Sequence, residues 1–268
     1  MRRDNAQIDV DQAKETPSRR SGVPIDLEGE MRNAGAELIR QASILLELHV
    51  TCFGTAEVLF QRFYYNESFR KFSVKEIAMG AIFTASKITE HPIKIRDIIT
   101  IFLRIFDCRE GKPVKVLEYF DEFFYRTRDQ ILIAEITLLT SLGFDTFVEL
   151  PYRLTIYYLQ ILDLINDKII LQKVWSYVND ALCTRVSCIQ SAPSIAIGCI
   201  FIAAREEKIK LPYAWWEIFD VFLEDVKYIA ASINSFYIEE EERKRREREG
   251  HLTPIDLEEL EKYLSEKR

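Results

Sequence analysis

The segment AMGAIFTASK (78–87) is written again as AIGCIFIAAR (196–205), at a constant offset of 118, since 196 − 78 = 118. Ala78, Gly80, Ile82, Phe83 and Ala85 return as Ala196, Gly198, Ile200, Phe201 and Ala203, the preceding Ile77 as Ile195, and the cationic end Lys87 as Arg205. On a helical wheel Ile77, Ala78, Ala81, Ile82, Ala85 and Ile88 form one broad face, and Met79 and Phe83 carry apolar character round the back. A helix that is apolar nearly all round belongs inside, surrounded by other helices. Gly80 costs about 1 kcal/mol of helix propensity relative to alanine, and close approach of a neighbouring backbone is the expected compensation. Each copy stands third in a run of five expected helices. A repeat of this length exceeds the roughly 34–47 residues of helical solenoid units, so two tandem helical domains are expected.

The remaining pattern agrees. Residues 1–26 are polar and without periodicity, and a flexible tail is expected there. Leu38, Ala42, Leu45 and Leu46 keep helical spacing, as do Val58, Leu59, Arg62 and Phe63. Ser73 with Glu76 three positions on reads as a capping box, and Pro92 ends the helix that follows. Ile95, Ile98, Ile99, Phe102 and Ile105 predict a helix, REGKP (109–113) a loop, and 127–142 a further helix stopped by Gly143. In the second half, helices are expected from Pro151 to about Leu164, over 168–183 and 192–206, in a short stretch with Trp215 and Trp216, and over 225–237. No run shows sustained strand alternation, so the expected fold class is all-α. The expected division is a tail (1–26), two helical domains (27–147 and 148–238), and a charged linker with a short helix (239–268). In that last part EEEERKRREREG (239–250) reads as a solvated extension, and Thr253 as the cap of a helix beginning at Pro254. Leu257, Leu260 and Leu264 make an apolar stripe there, expected to fold back on the domains.

Apolar residues make up 48% of the 268, enough for real cores, and the longest apolar runs stop well short of a membrane span. No signal peptide is expected at Met1. The net charge of −7 weighs against a nucleic-acid binder, which must neutralise phosphates. The five cysteines are scattered and odd in number, and read as reduced, mostly buried thiols. No glycine-rich phosphate loop and no CxxC is present, and the three histidines, His49, His91 and His251, are far apart in sequence. Neither a metal, a cofactor nor a catalytic residue is expected.

Two charged residues stand out. Ile131, Leu138, Leu139 and Leu142 share a face of the 127–142 helix, and Glu135 falls within that stripe. A carboxylate there is costly unless paired or hydrogen-bonded. Lys87 lies on the Met79–Phe83 side of a buried helix, near its C-terminal end. Either Glu135 reaches an exposed edge and Lys87 complements its helix dipole, or both line one functional surface.

VLFQRFYYNESFRKF (58–72), ASKITEHPIKIRDII (85–99), GKPVKVL (111–117) and YLQIL (158–162) resemble the cyclin family. Among the transcriptional cyclins the chain most resembles cyclin L: TPS (16–18) followed by GAELIRQASILL (35–46) is similar to the segment leading into the first box of cyclin L, WSYVNDALCT (175–184) to a stretch shared by cyclins L and K, and WWEIF (215–219) to cyclin K. The resemblance covers about 16–238 and implies two tandem five-helix cyclin boxes. It implies that Lys87 and Glu135 contact the regulatory helix of a partner cyclin-dependent kinase, with Ile88, Leu139 and Phe144 as apolar interface positions. It further implies a non-catalytic, nuclear regulator of a kinase acting on the RNA polymerase II tail or on splicing factors, with neither direct nucleic-acid contact nor a membrane. Cyclin L proteins commonly carry an Arg/Ser-rich tail after the boxes; 239–250 has no Arg-Ser repeat, which puts a splicing role in doubt. A cyclin-fold transcription factor of TFIIB type, resting on basic DNA-binding faces, is the competing reading. An all-helical enzyme ranks last, since no DDxxD-type motif is present.

Overall fold

In the computed structural model, residues 8, 13–113 and 122–266 are described. Most of 1–12, and Val114–Leu117 of the GKPVKVL motif, lie outside the described residues. The described residues are helical, with no strand among them. They divide into two units: Lys14–Thr146 with Gly250–Arg268, and Met1–Ala13 with Phe147–Glu249.

The first unit opens with a single turn, α1 (Pro17–Arg20), followed by α2 (Ile25–Leu45), α3 (Val50–Asn66), α4 (Val74–Ile88), α5 (Ile95–Arg109) and α6 (Glu122–Ser141). α4 is the helix of the repeated segment, and it packs against α2, α3, α5 and α6. Every residue from Ile77 to Ser86 is buried, as an all-round apolar helix requires. A Cβ built on Gly80 would lie 2.8 Å from the Ala134 Cβ, 3.2 Å from the Ala134 carbonyl carbon and 3.3 Å from the Glu135 nitrogen. Glycine at this position therefore sets how closely α4 and α6 approach.

The stretch 14–26, expected as a flexible tail, is anchored to the first unit at a few buried points. Thr16 caps α1 and donates to Glu28 Oε2 at 2.9 Å, and Thr16, Ser18 and Val23 are buried. Glu28 also meets Arg19 at 2.9 Å and Arg32 at 3.2 Å. The Arg32 guanidinium is buried too. It donates to the Gln61 side chain at 3.0 Å and to the Gln61 and Tyr64 carbonyls at 3.1 and 2.8 Å, and lies 4.4 Å from the centre of the Tyr65 ring. Two buried charges in one network are tolerable because their polar atoms find partners.

The capping box expected at Ser73 does not form. The Ser73 hydroxyl donates to the Ile255 carbonyl at 3.0 Å, and Glu76 accepts from Gln130 at 2.9 Å. The reason is the returning chain end: Thr253, Pro254, Ile255 and Leu260 are buried in this unit. The Ile255 carbonyl also accepts from the Lys75 amide at 3.0 Å, the Thr253 carbonyl accepts from Arg109, and Arg70 pairs with Glu261 at 2.9 Å. The last helix begins at Leu257 and not at Pro254, because Asp256 is its cap, accepting from the Glu259 amide at 2.9 Å.

In the second unit, α7 (Tyr152–Ile161), α8 (Lys168–Cys183), the short α9 (Val186–Ile189) and α11 (Leu223–Arg248) surround α10 (Ala192–Glu206), the twin of α4. A Cβ on Gly198 would lie 2.6 Å from Ile229 Cγ2 on α11. Gly198 thus repeats the part of Gly80, admitting the last long helix of its own set. The fourth place of this set, where a short helix with Trp215 and Trp216 is expected, is a 3-10 turn over Trp215–Phe219. The terminal helix α12 spans Leu257–Glu266.

Candidate functional site

Lys87 sits on the last turn of α4 and Glu135 in the middle of α6, and the approach allowed by Gly80 brings them together. Lys87 Nζ stands 2.8 Å from Glu135 Oε1 and 2.9 Å from Oε2. The lysine nitrogen also lies 3.9 Å from the centre of the Phe83 ring, a cation–π contact one turn back on its own helix. The lysine side chain is 47% exposed and the carboxylate 13%. The pair is therefore presented at the surface with its anionic half recessed.

The wheel placement of Glu135 needs a correction. The buried face of α6 is Thr127, Ile131, Ala134 and Leu138, and Glu135 flanks it. Leu139 lies one turn beyond Glu135 on the same flank and is half-buried. Ile88, next to Lys87, is 36% exposed, and Phe144 is 68% exposed. Gly143 stops α6 as expected, at φ +59°, and Phe144 follows in the same left-handed region. The Phe144 amide donates to the Leu139 carbonyl at 2.8 Å, which ties two of the expected interface residues through the backbone. All five expected residues thus belong to the α4–α6 side of the first unit.

Sequence reasoning passed over two further members of this surface, Leu132 and Ile136, and the exposed Ile133 on the opposite side of α6. Leu132, Ile133 and Ile136 are exposed on α6, the two isoleucines at 64% each. Leu132, Ile136 and Leu139 recur at i, i+4 and i+7 beside the Glu135 carboxylate. Their signal was available: ILIAEITLL is apolar on both sides of the helix, more than one buried face can use. Exposed apolar side chains beside a charged pair are a usual form of a protein-docking surface.

The chemistry-bearing residues elsewhere form no comparable site. His49 and His91 stack with ring centres 5.1 Å apart, a contact their sequence separation hides. His49 caps α3, and His91 contacts the Thr89 carbonyl at 2.7 Å. Burial pushes the Cys52 thiol up, against a hydrogen bond with Thr89 that lowers it, and burial pushes the Cys199 thiol up further. Both shifts disfavour the nucleophilic thiolate. Among the described residues no group of three or more His, Cys, Asp or Glu side chains could hold a metal, and no helix is long and apolar enough to cross a membrane.

Comparison with known proteins bears on the family and the fold. Residues 8–147 match the model of the cyclin N-terminal domain. Cyclin-L2 of Homo sapiens is 38% identical over 237 residues, which are 87% of this chain and 45% of the relative. Cyclin-L1 of Gallus gallus is 37% identical over 256 residues, 94% of this chain and 45% of the relative. The chain thus spans about half the length of the curated relatives it matches. A chain in the crystal structure of the yeast RNA Pol II CTD kinase CTDK-1 complex shares the fold with a TM-score of 0.73 at 17% identity, over 99% of this chain and 84% of that one. One in the yeast TFIIK (Kin28/Ccl1/Tfb3) complex does so at 0.58 and 20%, over 85% and 96%. With its two helical sets built on twin central helices, and with relatives of this identity, the chain belongs to the cyclin family and is similar to cyclin L.

Proposed function

We propose that this chain is the regulatory subunit of a transcriptional cyclin-dependent kinase, and that the Lys87–Glu135 surface holds the kinase's regulatory helix. One observation carries the reading: a surface-presented ion pair at 2.8 Å, flanked by the exposed apolar residues Ile88, Leu132, Ile136 and Phe144 and the half-buried Leu139. An amphipathic helix laid along such a face finds apolar anchors and a charged pair that fixes its register.

The physical task is a population shift. A kinase positions ATP only when its strand β3 lysine pairs with the glutamate of helix αC. A protein that binds the αC-in state better than the αC-out state shifts the kinase toward activity. Moving it from about 1:99 to 99:1 takes roughly 5.5 kcal/mol of differential affinity. A few desolvated apolar anchors with a charged contact are of that order. The chain itself carries out no chemistry; its contribution is binding.

The names of the similar proteins support a nuclear setting and phosphorylation of the RNA polymerase II tail by the partner kinase. The test is affinity purification from nuclear extract with identification of the bound kinase, repeated with Ile136→Asp and Glu135→Ala. Loss of a cyclin-dependent kinase from both variants, with the fold intact by circular dichroism, is expected. Undiminished kinase recovery and activity with both variants overturns the assigned surface.

A further inference from the structure

The second unit carries an aromatic groove that the proposed kinase surface does not use. Two adjoining cavities, of about 270 and 470 Å³, share the wall formed by Tyr213, Ala214 and Trp216. Tyr213 is fully exposed and Phe222, at the far side of the larger cavity, is 73% exposed. Ala214 and Asp220 bracket the 3-10 turn in left-handed conformation, at φ +53° and +54°, so the turn is held by its own backbone and by Trp215 buried beneath it. The indole of Trp216 stands edge-on to Phe201 and to Trp215, which fixes its orientation. The Trp216 wall is therefore preformed, with Tyr213 and Phe222 standing out into solvent beside it.

The larger cavity is charged with one sign. Glu217, Asp220 and Glu224 line it and no Lys or Arg does. All three are exposed, and among the described residues no ion pair engages any of them. Aromatic faces beside uncompensated carboxylates suit a planar cation: the guanidinium stacks on a ring while its N–H fork meets a carboxylate. Lysine offers a point charge without the flat face, and fits this combination less well. The acidic rim repels a nucleic-acid backbone.

We propose that the groove walled by Tyr213, Trp216 and Phe222 and rimmed by Glu217, Asp220 and Glu224 docks an arginine-rich segment of another protein. The guanidinium groups stack on the Tyr213 and Trp216 rings and pair with the carboxylates. The site is independent of the kinase reading and stands or falls separately from it.

The test is fluorescence anisotropy with the purified full chain and labelled oligoarginine, with oligolysine of equal length as comparison. Oligoarginine is expected to bind more tightly than oligolysine, and less tightly as salt is raised. Tyr213→Ala, and the triple substitution Glu217→Gln, Asp220→Asn, Glu224→Gln, are each expected to weaken it by at least about tenfold. Tyr213 touches nothing that its loss would unfold, being fully exposed. A matched triple, Glu241→Gln, Glu242→Gln, Glu258→Gln, changes the net charge equally and is expected to leave binding within about twofold. Equal weakening by the matched triple, equal affinity for oligolysine, or an unaffected Tyr213→Ala variant overturns the proposal. So does a single-stranded RNA competitor that binds the groove more tightly than oligoarginine.

Discussion

Lys87 and Glu135 are 48 residues apart in sequence, on different helices, yet the lysine nitrogen meets both carboxylate oxygens at 2.8 and 2.9 Å. The pair costs little to keep, since its cation is half in water, and exposed pairs contribute about 0–1 kcal/mol. Lys87→Ala is therefore expected to change the unfolding free energy by less than about 1 kcal/mol. The same substitution is expected to weaken kinase binding by about tenfold or more, because a charge pair covered by a partner is worth more than an exposed one. Chemical denaturation beside a binding titration separates the two effects. Stability loss without binding loss would show that the pair only braces the fold.

Gly80 and Gly198 are expected to resist alanine. Helix propensity favours alanine by about 1 kcal/mol, but overpacking costs about 1–3 kcal/mol. At Gly80 the new methyl meets the Ala134 Cβ and backbone; at Gly198 it meets the β-branched Ile229 at 2.6 and 2.9 Å. None of these atoms is the free end of a flexible chain, so a helix must move. Both variants should melt at lower temperature than the parent; a rise at either site would show that the close approach is not maintained in solution.

The Arg32 network should be the costliest polar feature to break. Arg32→Ala leaves the buried Glu28 with a partner removed and the Gln61 and Tyr64 carbonyls without this donor, an expected loss of about 3–5 kcal/mol. Arg32→Lys should recover only part of it, because one ammonium cannot reproduce the planar fork. Urea titration of the two variants checks the order.

Acid should loosen α11 through Glu240. Burial raises this carboxyl, but the hydrogen bonds and charge of Arg243, with help from Lys244, outweigh it and hold the group below its ordinary value of 4.5. The unfolded chain then binds the proton more readily than the folded one. The stabilisation is complete above the ordinary value and is lost as pH falls through the lowered one. Glu240→Gln should flatten the fall in melting temperature between about pH 5 and 3. An unchanged slope would remove Glu240 from the acid response.

The twin central helices were legible in the sequence because an all-round apolar 15-residue helix with an internal glycine has few other places to go. Glu135 was legible as an anomaly, a carboxylate beside an apolar stripe. That Lys87 pairs with it was not legible, since no spacing rule reaches across two helices; the family resemblance implied only that both face one partner, and the ion pair is a finding of the structure. Ser73 shows the limit of local rules. Its sequence context is that of a capping box, but its hydroxyl is taken by a carbonyl 182 residues away. Ile133 and Ile136 show a different limit: ILIAEITLL has more apolar residues than one buried face can use, but periodicity does not say which ones are left outside. WWEIF tightened into a 3-10 turn because Ala214 and Asp220 turn left-handed on either side of it.

The returning segment should be energetically significant. Ile255 and Leu260 are 5% and 1% exposed, and truncating either to alanine is expected to cost about 2–5 kcal/mol. Hydrogen exchange at the Lys75 amide, which donates to the Ile255 carbonyl, should accelerate in Ile255→Ala. Unchanged protection there would mean the strap is not held in solution.

That strap also orders events during synthesis. Domains tend to fold as they leave the ribosome, N-terminal first. Here the first helical set reaches the tunnel exit early but lacks Ile255 and Leu260, which emerge only after all of Phe147–Glu249. Until then the amide of Lys75 and the hydroxyl of Ser73 wait for a mate still inside the translation machinery. The helical set that begins to fold first is thus finished only after the whole second set has been made.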